Sequence, residues 1–326
     1  MLAITVPSRL RARGILGMNC RNVEFINRYN ERGLYPLVDN KLKTKLLAQE
    51  FDVPTPQLRF VVREQHEINH IEAQLAGLES FVLKPAKGSG GKGILVVVGR
   101  RGDGFVKSSG ALISLADLRR HMSNTLAGLY SLGGNADVVI VEDMIALDSC
   151  FAGYSYEGVP DIRIVVFNGY PVMAMLRLAT HASDGKANLH QGAVGVGLAL
   201  DSGRCLNAVQ YGRALTEHPD TGKPLCDIGI SGWRDILLLA AQCYEMTGLG
   251  YMGTDLVLDK DFGPQLLELN ARPGLAIQIA NGVGLLPRLR HIETLRERRR
   301  LPFEQRVDYV MKTFSTPGFT GLDGDG

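Results

Sequence analysis

Two apolar segments in the C-terminal third carry polar side chains in a pattern that limits what this chain can fold into. They read Gly253-Thr-Asp255-Leu-Val-Leu and Leu266-Leu-Glu268-Leu-Asn270-Ala-Arg272-Pro-Gly274. Residues two apart on a strand point to the same face, so Glu268 and Asn270 share a face. If the segments pair through a turn at 259–264, Asp255 lies opposite them. The pattern predicts an antiparallel hairpin that gathers three oxygen-bearing side chains.

Carboxylate and amide oxygens on a rigid sheet are the ligands that a hard divalent cation prefers. Asp255, Glu268 and Asn270 are therefore predicted to bind Mg²⁺, with Mn²⁺ as a substitute. The alternative is an ordinary hairpin with a solvated polar face, because acids on strands are usually exposed to water.

A glycine-rich segment lies far upstream, in Phe81-Val-Leu-Lys84-Pro-Ala-Lys87-Gly-Ser-Gly-Gly-Lys92-Gly-Ile-Leu-Val-Val-Val98. It reads as strand, loop and strand, with glycines that leave backbone N–H groups free to approach an anion. The spacing is not that of a Walker loop, and a strand rather than a helix follows. We predict a flap over phosphates, with a mobile surface turn as the alternative.

These two segments, in this order, resemble the ATP-grasp superfamily, and more narrowly the α-L-glutamate ligase-like proteins. The latter are related to ribosomal-protein glutamate ligases and to sugar-transfer-associated ATP-grasp proteins. Supporting segments stand at 39–56, 138–145, 161–167, 175–177 and 188–193. The resemblance covers roughly residues 36–290. It implies an α+β fold, in which two α+β subdomains grip ATP between them. The N-terminal segment is expected to be reduced to helices, because fewer than forty residues precede the helix predicted after Asp39, where related enzymes carry a complete domain.

The resemblance also implies roles for particular residues. Nucleotide-binding roles fall on Lys41, Lys84, Gly88, Ser89, Gly90, Gly91, Lys92, Gly93, Glu142, Asp143, Met144, Ile145 and Asp148. In these roles the lysines contact phosphates, Glu142 accepts the adenine amino proton, and Asp148 binds ribose or is simply a solvated acid. Catalytic roles fall on Arg163, Arg177 and Arg272, and substrate-binding roles on Asn188 and His190.

Each of these assignments has a structural alternative. An arginine fork suits a carboxylate or an acyl phosphate, but Arg163 could instead form a salt bridge with Asp161. Lys43 and Lys45 could be confused with Lys41 on the same helix, and a lone histidine such as His190 is usually structural. Where glutamate ligases carry arginines beside the asparagine, this chain has Lys186 and Gln191.

The implied activity is that of an ATP-dependent carboxylate–amine ligase acting through an acyl phosphate. It would join an amino acid such as glutamate to a peptide or small acceptor. A glycan-linked acceptor is a second possibility. The other alternative is a nucleotide-binding module without ligase activity that docks a partner through the arginines at 296, 298, 299 and 300.

Composition narrows the functional classes. A chain of 326 residues with 45% hydrophobic residues can bury a sizeable core, and a net charge of +2 gives no general attraction to nucleic acid. The five cysteines show no paired spacing, which favours reduced thiols in a cytoplasm. No apolar run is long enough for a membrane span, and an oligomer is compatible with the composition.

The chain is predicted to divide into an N-terminal helical segment (1–38), an N-terminal ATP-grasp subdomain with the flap (39–140), a C-terminal subdomain with the metal site (141–300) and a tail (301–326). Helices are predicted at 64–78, 115–126 and 233–247, and the glycine- and aspartate-rich end at 321–326 is expected to fray.

Overall fold

The computed structural model describes residues 10–88, 90–295 and 301–315, and the chain divides into two units. One unit comprises Asp39–Ala146. The other joins the N-terminal segment through Val38 to the chain from Leu147 onward. Each unit combines helices with its own antiparallel sheet, which confirms the α+β class predicted from the sequence.

The unit at 39–146 is built on a six-stranded sheet in the order β1-β6-β2-β3-β4-β5. Its strands are β1 (Leu58–Val62), β2 (Phe81–Pro85), β3 (Leu95–Arg101), β4 (Gly104–Lys107), β5 (Leu112–Ile113) and β6 (Val139–Glu142). A core of aliphatic and aromatic side chains, including Phe81, Leu83, Val97 and Met122, is fully buried on this sheet.

The second sheet has seven strands in the order β11-β10-β9-β8-β7-β12-β13, and every neighbouring pair is antiparallel. The strands are β7 (Asp161–Phe167), β8 (Tyr170–Leu178), β9 (Val194–Leu198), β10 (Cys205–Gln210), β11 (Arg213–Leu215), β12 (Tyr251–Asp259) and β13 (Gly263–Asn270). The central strands β7, β8 and β12 are buried along nearly their whole length.

The α-helices, in chain order, are α1 (Met18–Cys20), α2 (Asn27–Tyr29), α3 (Pro36–Asp39), α4 (Lys41–Glu50), α5 (Ile71–Leu75), α6 (Leu115–Leu126), α7 (Trp233–Thr247), α8 (Ile277–Asn281), α9 (Leu286–Thr294) and α10 (Phe303–Thr313). A π-helix spans Arg21–Ile26 between α1 and α2. Short 3₁₀ turns cover Arg32–Leu34, Gln65–His70, Leu132–Gly134, Ser149–Phe151, His181–Ser183, Leu189–Gln191 and Leu225–Asp227.

Local sequence explains where the main helices begin and end. Asn40 accepts hydrogen bonds from the backbone N–H groups of Leu42 and Lys43, which caps the start of α4. Ser114 and Asp117 form a capping box at the start of α6. Helix α7 ends at Gly248, which adopts the left-handed conformation that glycine favours after a helix.

The segment 301–326 was expected to be a tail, but its described part carries α10, which packs against α7 and β8. Val307, Val310 and Phe314 are buried there. Their spacing of three and four residues is the signal of an amphipathic helix that the sequence analysis overlooked. The arginines at 296–300 and the end at 321–326 lie outside the described residues. In the part of the chain that is described, no helix is long and apolar enough to cross a membrane.

Candidate active site

A buried group of three charged side chains lies in the unit at 39–146. The carboxylate of Glu142 is 2.7 Å from the ammonium of Lys45 and 2.5 Å from that of Lys84. The Lys45 ammonium also donates a hydrogen bond to the Pro56 carbonyl. We refer to Lys45, Glu142 and Lys84 as the Lys–Glu–Lys triad; its formal charge is +1.

Strand register brings the triad together. Strand β6 lies between β1 and β2, and Glu142 pairs directly with Val82. Lys84 is two residues beyond Val82, so its side chain points to the same face as that of Glu142. Helix α4 covers this face, because Leu42 packs with Ile140 there, and Lys45 reaches Glu142 from the helix.

Burial and charge act against each other in the triad. Burial acts to raise the pKa of Glu142, but the two ammonium groups outweigh it and hold that pKa below its usual value. Burial lowers the pKa of Lys45, although the Glu142 carboxylate acts in the opposite direction. Removing Glu142 would leave the two buried ammonium groups without their counter-charge, and breaking a buried ion pair in this way typically costs about 3–5 kcal/mol.

This arrangement changes the interpretation of Glu142. Its carboxylate was predicted to accept the adenine amino proton, but both of its oxygens contact lysines and the residue is only 2% exposed. The geometry favours Glu142 as the anchor that holds Lys84. Lys45 was considered only as a residue to be confused with Lys41; its position one helical turn after Lys41 was the signal available for it.

The segment after β6 carries the other residues predicted to contact the nucleotide base and ribose. Asp143 forms a two-point ion pair with Arg59, one contact of which is 2.7 Å, and its N–H donates to the Gln57 carbonyl. Met144 and Ile145 are half-buried and lie outside regular secondary structure. Asp148 belongs to the other unit, where its side chain accepts a hydrogen bond from the Cys150 N–H at 2.8 Å and so begins a 3₁₀ turn.

The predicted flap is the loop at 86–94 that joins the antiparallel strands β2 and β3. Lys41 donates to the Gly88 carbonyl at 2.7 Å, and the Gly93 carbonyl lies 2.9 Å from Nε2 of His121. Burial lowers the pKa of His121. Lys92 is exposed, and Gly88, Gly90, Gly91 and Gly93 all lie in the loop, while Ser89 is outside the described residues. The strand–loop–strand order agrees with the sequence prediction.

Gly90 allows a sharp test of the flap. Its φ is +62°, and no atom lies within 4 Å of where a Cβ would be. A valine at position 90 should therefore meet no steric clash with neighbouring side chains. Its left-handed backbone conformation should cost roughly 1–2 kcal/mol, because the residue now has a Cβ. We expect Gly90→Val to weaken binding of ATP with Mg²⁺ in calorimetric titration. Gly90→Asn is the matched control, since asparagine tolerates this conformation. Equal affinities of the two variants would contradict a role for the flap backbone.

The unit from Leu147 onward contains a second buried charged group on β7, β8 and β12. Arg163 donates two hydrogen bonds to Asp255, at 2.7 and 2.6 Å. Arg177 donates two to Asp161, at 2.5 and 2.6 Å, and also lies 2.9 Å from Asp255. We refer to these four residues as the Arg–Asp array; its formal charge is zero.

Register explains the partners in the Arg–Asp array. Asp161 is directly opposite Arg177 on β7 and β8, and Asp255 is directly opposite Arg163 on β12 and β7. Directly opposed residues in an antiparallel pair have side chains on the same face. The salt bridge considered from the sequence, between Asp161 and Arg163, is therefore wrong. Each arginine instead binds an aspartate on the neighbouring strand.

The two acids of the array have opposite pKa shifts. Burial raises the pKa of Asp161 to about 6, against the attraction of Arg177. Burial also acts on Asp255, but Arg163 and Arg177 outweigh it and hold the pKa of Asp255 well below its usual range. Asp255 is therefore ionised over a wider pH range than Asp161, and a carboxylate metal ligand must be ionised.

The predicted metal ligands meet beside this array. Asp255 lies directly opposite Glu268 across the β12–β13 hairpin, as the sequence analysis predicted. The Asn270 amide nitrogen donates to Asp255 at 3.2 Å, which places the third side chain at the same point. Two carboxylates and an amide form a donor set that fits Mg²⁺. Among described residues there is no group of three or more His, Cys, Asp or Glu side chains that could hold a metal, and the predicted set here combines two carboxylates with the Asn270 amide.

The remaining predicted residues lie at the ends of elements in the same unit. Arg272 is exposed just after β13, and its guanidinium lies 5.2 Å from the centre of the Tyr35 ring. The Asn188 side chain accepts a hydrogen bond from the His190 N–H at 3.0 Å and so begins the 3₁₀ turn Leu189–Gln191. Asn188 therefore shapes the turn that presents His190.

Two antiparallel sheets, a glycine-rich loop between β2 and β3, and a hairpin that carries Asp255, Glu268 and Asn270 agree with the ATP-grasp resemblance. The chain belongs to the sugar-transfer associated ATP-grasp family, whose sequence model matches residues 20–294. No curated protein matches the sequence.

Among solved structures, the D-cycloserine synthetase DcsG is 16% identical, with 86% of this chain and 80% of that chain covered and a TM-score of 0.46. D-alanyl-alanine synthetase A from Vibrio cholerae is 12% identical, with 88% of this chain and 67% of that chain covered and a TM-score of 0.46. The ATP-grasp ligase PsnB, complexed with minimal precursor, is 14% identical, with 80% of this chain covered and a TM-score of 0.44. The chain spans 60% of the length of that PsnB chain.

Proposed function

We propose that this protein is an ATP-dependent ligase that joins a carboxylate to an amine. The observation that carries the proposal is the Arg–Asp array beside the donor set of Asp255, Glu268 and Asn270. Arg163 and Arg177, each paired with an aspartate in the array, carry the forked donors that suit a carboxylate or a phosphoryl group. The residues for phosphate, metal and carboxylate are all present, which supports an active enzyme over a binding module without activity.

In the proposed reaction a carboxylate oxygen attacks the γ-phosphorus of ATP, and the bond to ADP breaks. The amine then attacks the carbonyl carbon of the resulting acyl phosphate, a C–N bond forms as the C–O bond to phosphate breaks, and the proton lost by the amine leaves with the phosphate. ATP supplies the phosphoryl group, and Mg²⁺ held by Asp255, Glu268 and Asn270 would offset phosphate charge as a Lewis acid.

The chain's own contribution is to bind and to orient. Lys41 and Lys84 would hold phosphate oxygens, together with backbone N–H groups of the flap. Glu142 and Lys45 keep Lys84 in one position, because the three charges are buried together. Arg163 and Arg177 would hold the substrate carboxylate as its charge redistributes, since a guanidinium offers two parallel donors.

The identity of the acceptor is a separate part of the proposal. An amino acid or peptide acceptor follows from the resemblance to glutamate ligases, and the family's association with sugar transfer supports a glycan-linked acceptor as the alternative. Both acceptor classes need the same activated carboxylate, so one screen can compare them.

The experiment is a screen for ADP release by the purified chain with ATP and Mg²⁺. Carboxylates and amines, including amino acids, dipeptides and glucosamine, are added singly and in pairs. We expect release that depends on both a carboxylate and an amine, with a new C–N bond detected by mass spectrometry. ATP binding without ADP release from any pair would contradict the ligase and support the module without activity.

A further inference from the structure

A pocket of about 230 Å³ lies in the unit from Leu147 onward, and of its lining residues only His190 was assigned a role above. The 3₁₀ turn Leu189–Gln191 forms one wall, the start of α8 another, and the turn between β10 and β11 a third. The side chains that define it are Leu189, His190, Val209, Tyr211, Ala276 and Ile279.

The pocket lies on the same sheet face as the Arg–Asp array. Arg177 on β8 lies directly opposite Asp161 on β7 and, on its other side, opposite Gly195 on β9. Gly195 in turn lies opposite Val209 on β10, so the four residues form one row across the sheet. Directly opposed residues share a face, and neighbouring strands are about 4.8 Å apart. Val209 is therefore about 10 Å from Arg177 along this row.

Gly195 lies between the array and the pocket, and the pocket wall packs directly on it. A Cβ at Gly195 would lie 2.6 Å from the Leu189 side chain and 3.5 Å from that of Ala280. Only glycine lets the Leu189 turn and helix α8 approach β9 this closely. The pocket walls thus stand directly over the strand next to Arg177.

The lining is mostly apolar, with the His190 imidazole and the Tyr211 hydroxyl as its polar side-chain groups. Tyr211 is 62% exposed and Ile279 is 54% exposed, so a ligand in the pocket could contact both side chains. Among the described residues that line the pocket, none is a lysine, arginine, aspartate or glutamate. A second carboxylate on the substrate would find no fixed positive charge here.

Tyr211 has a backbone conformation that is unfavourable for a tyrosine. It and Gly212 form the two-residue turn between Gln210 and Arg213, with φ values of +50° and +73°. Such turns strongly favour asparagine or glycine at the first position, and a bulky residue there is an outlier. The turn directs the Tyr211 ring toward Gly192, where a Cβ would lie 2.3 Å from its hydroxyl. Strain of this kind is concentrated at functional sites.

We infer that this pocket binds an aliphatic or aromatic side chain of one of the two substrates, so that the ligase acts on an apolar residue and not on glutamate. This inference rests on the proposed function, because Val209 in the pocket and Arg177 in the array lie on the same sheet face, two strands apart.

The test uses three dipeptides that differ in one side chain: glycyl-leucine, glycyl-phenylalanine and glycyl-glutamate. Binding to the full chain is measured by saturation-transfer NMR, and turnover by ADP release. We expect the two apolar probes to bind and to exceed glycyl-glutamate in kcat/KM by about tenfold or more, a difference typical of apolar pocket discrimination.

Tyr211→Asn is the decisive variant, because asparagine suits the turn and should preserve or raise the unfolding temperature while removing the ring. We expect it to reduce binding and kcat/KM for the apolar probes by about tenfold. Tyr211→Phe retains the ring and should restore most of the selectivity. Phe262→Asn is the matched control, since Phe262 is an exposed aromatic residue (74%) on a different hairpin turn.

The outcomes separate the two proposals. Binding of the apolar probes that Tyr211→Asn abolishes, without turnover of any substrate pair, would support the pocket and contradict the ligase. Turnover that favours glycyl-glutamate, or apolar binding that Tyr211→Asn leaves unchanged, would overturn the pocket assignment while leaving the ligase in place. Failure of both apolar probes to bind the unmodified chain would also overturn it.

Discussion

Glu268→Gln should abolish ATP turnover while leaving the fold intact. Glu268 is half-buried on β13 opposite Asp255, and glutamine has nearly the same shape, so packing should change little. The change removes one of the two carboxylate charges proposed to hold Mg²⁺. A bound metal ion stabilises the transition state by several kcal/mol, and each 1.4 kcal/mol is about a factor of ten in rate. A loss of at least roughly two orders of magnitude in turnover is therefore expected.

The measurement compares turnover, affinity for Mg²⁺ and unfolding temperature. Glu304→Gln is the matched control: it changes an exposed glutamate on α10 and should alter none of the three. If Glu268→Gln keeps near-normal turnover with substrates that the unmodified chain uses, the metal site is wrongly assigned to this hairpin.

Arg177→Lys should lower both turnover and stability. Arg177 makes two hydrogen bonds to Asp161 and contacts Asp255, and lysine cannot reproduce this fork. Losing a buried charge-assisted hydrogen bond costs about 1.5–3 kcal/mol, or roughly ten- to a hundredfold in rate where it acts in the transition state. ATP affinity should change much less than kcat, because the effect is assigned to the substrate carboxylate.

Arg234→Lys is a suitable control, since Arg234 pairs with Asp308 on the surface and such pairs contribute about 0–1 kcal/mol. Unfolding temperature and single-turnover rate should be measured for both variants. A loss of stability with unchanged rate per folded molecule would assign Arg177 to the structure alone. The carboxylate would then have to be bound by other residues of the same sheet face.

The elements that could be predicted from the sequence are those specified by local pattern. The hairpin with Asp255 opposite Glu268, the helices at 115–126 and 233–247, and the strand–loop–strand of the flap follow from alternation, helical spacing and turn residues. The ATP-grasp resemblance and the α+β class were confirmed by the family match and by the two antiparallel sheets.

What could not be predicted depends on strand order. Lys84 contacts Glu142 because β6 inserts between β1 and β2, strands that precede it by many residues. Arg163 binds Asp255 because β12 lies beside β7. From sequence alone, Asp161 is the nearer acid to Arg163, so the wrong partner was considered. The roles assigned to individual side chains remain predictions, since position in a sheet does not establish what a side chain binds.

The row of opposed residues from Asp161 to Val209 has a consequence for substrate length. Its span is set by inter-strand spacing, which side-chain substitutions cannot alter, and a one-residue shift of register would turn the whole row to the opposite face. With the pocket occupied as we infer, the sheet would fix the distance between the reacting group and the apolar end of the substrate. Exposed side chains such as Ile279 could change which end group is accepted, while a change in the accepted length would require a strand to be added or lost.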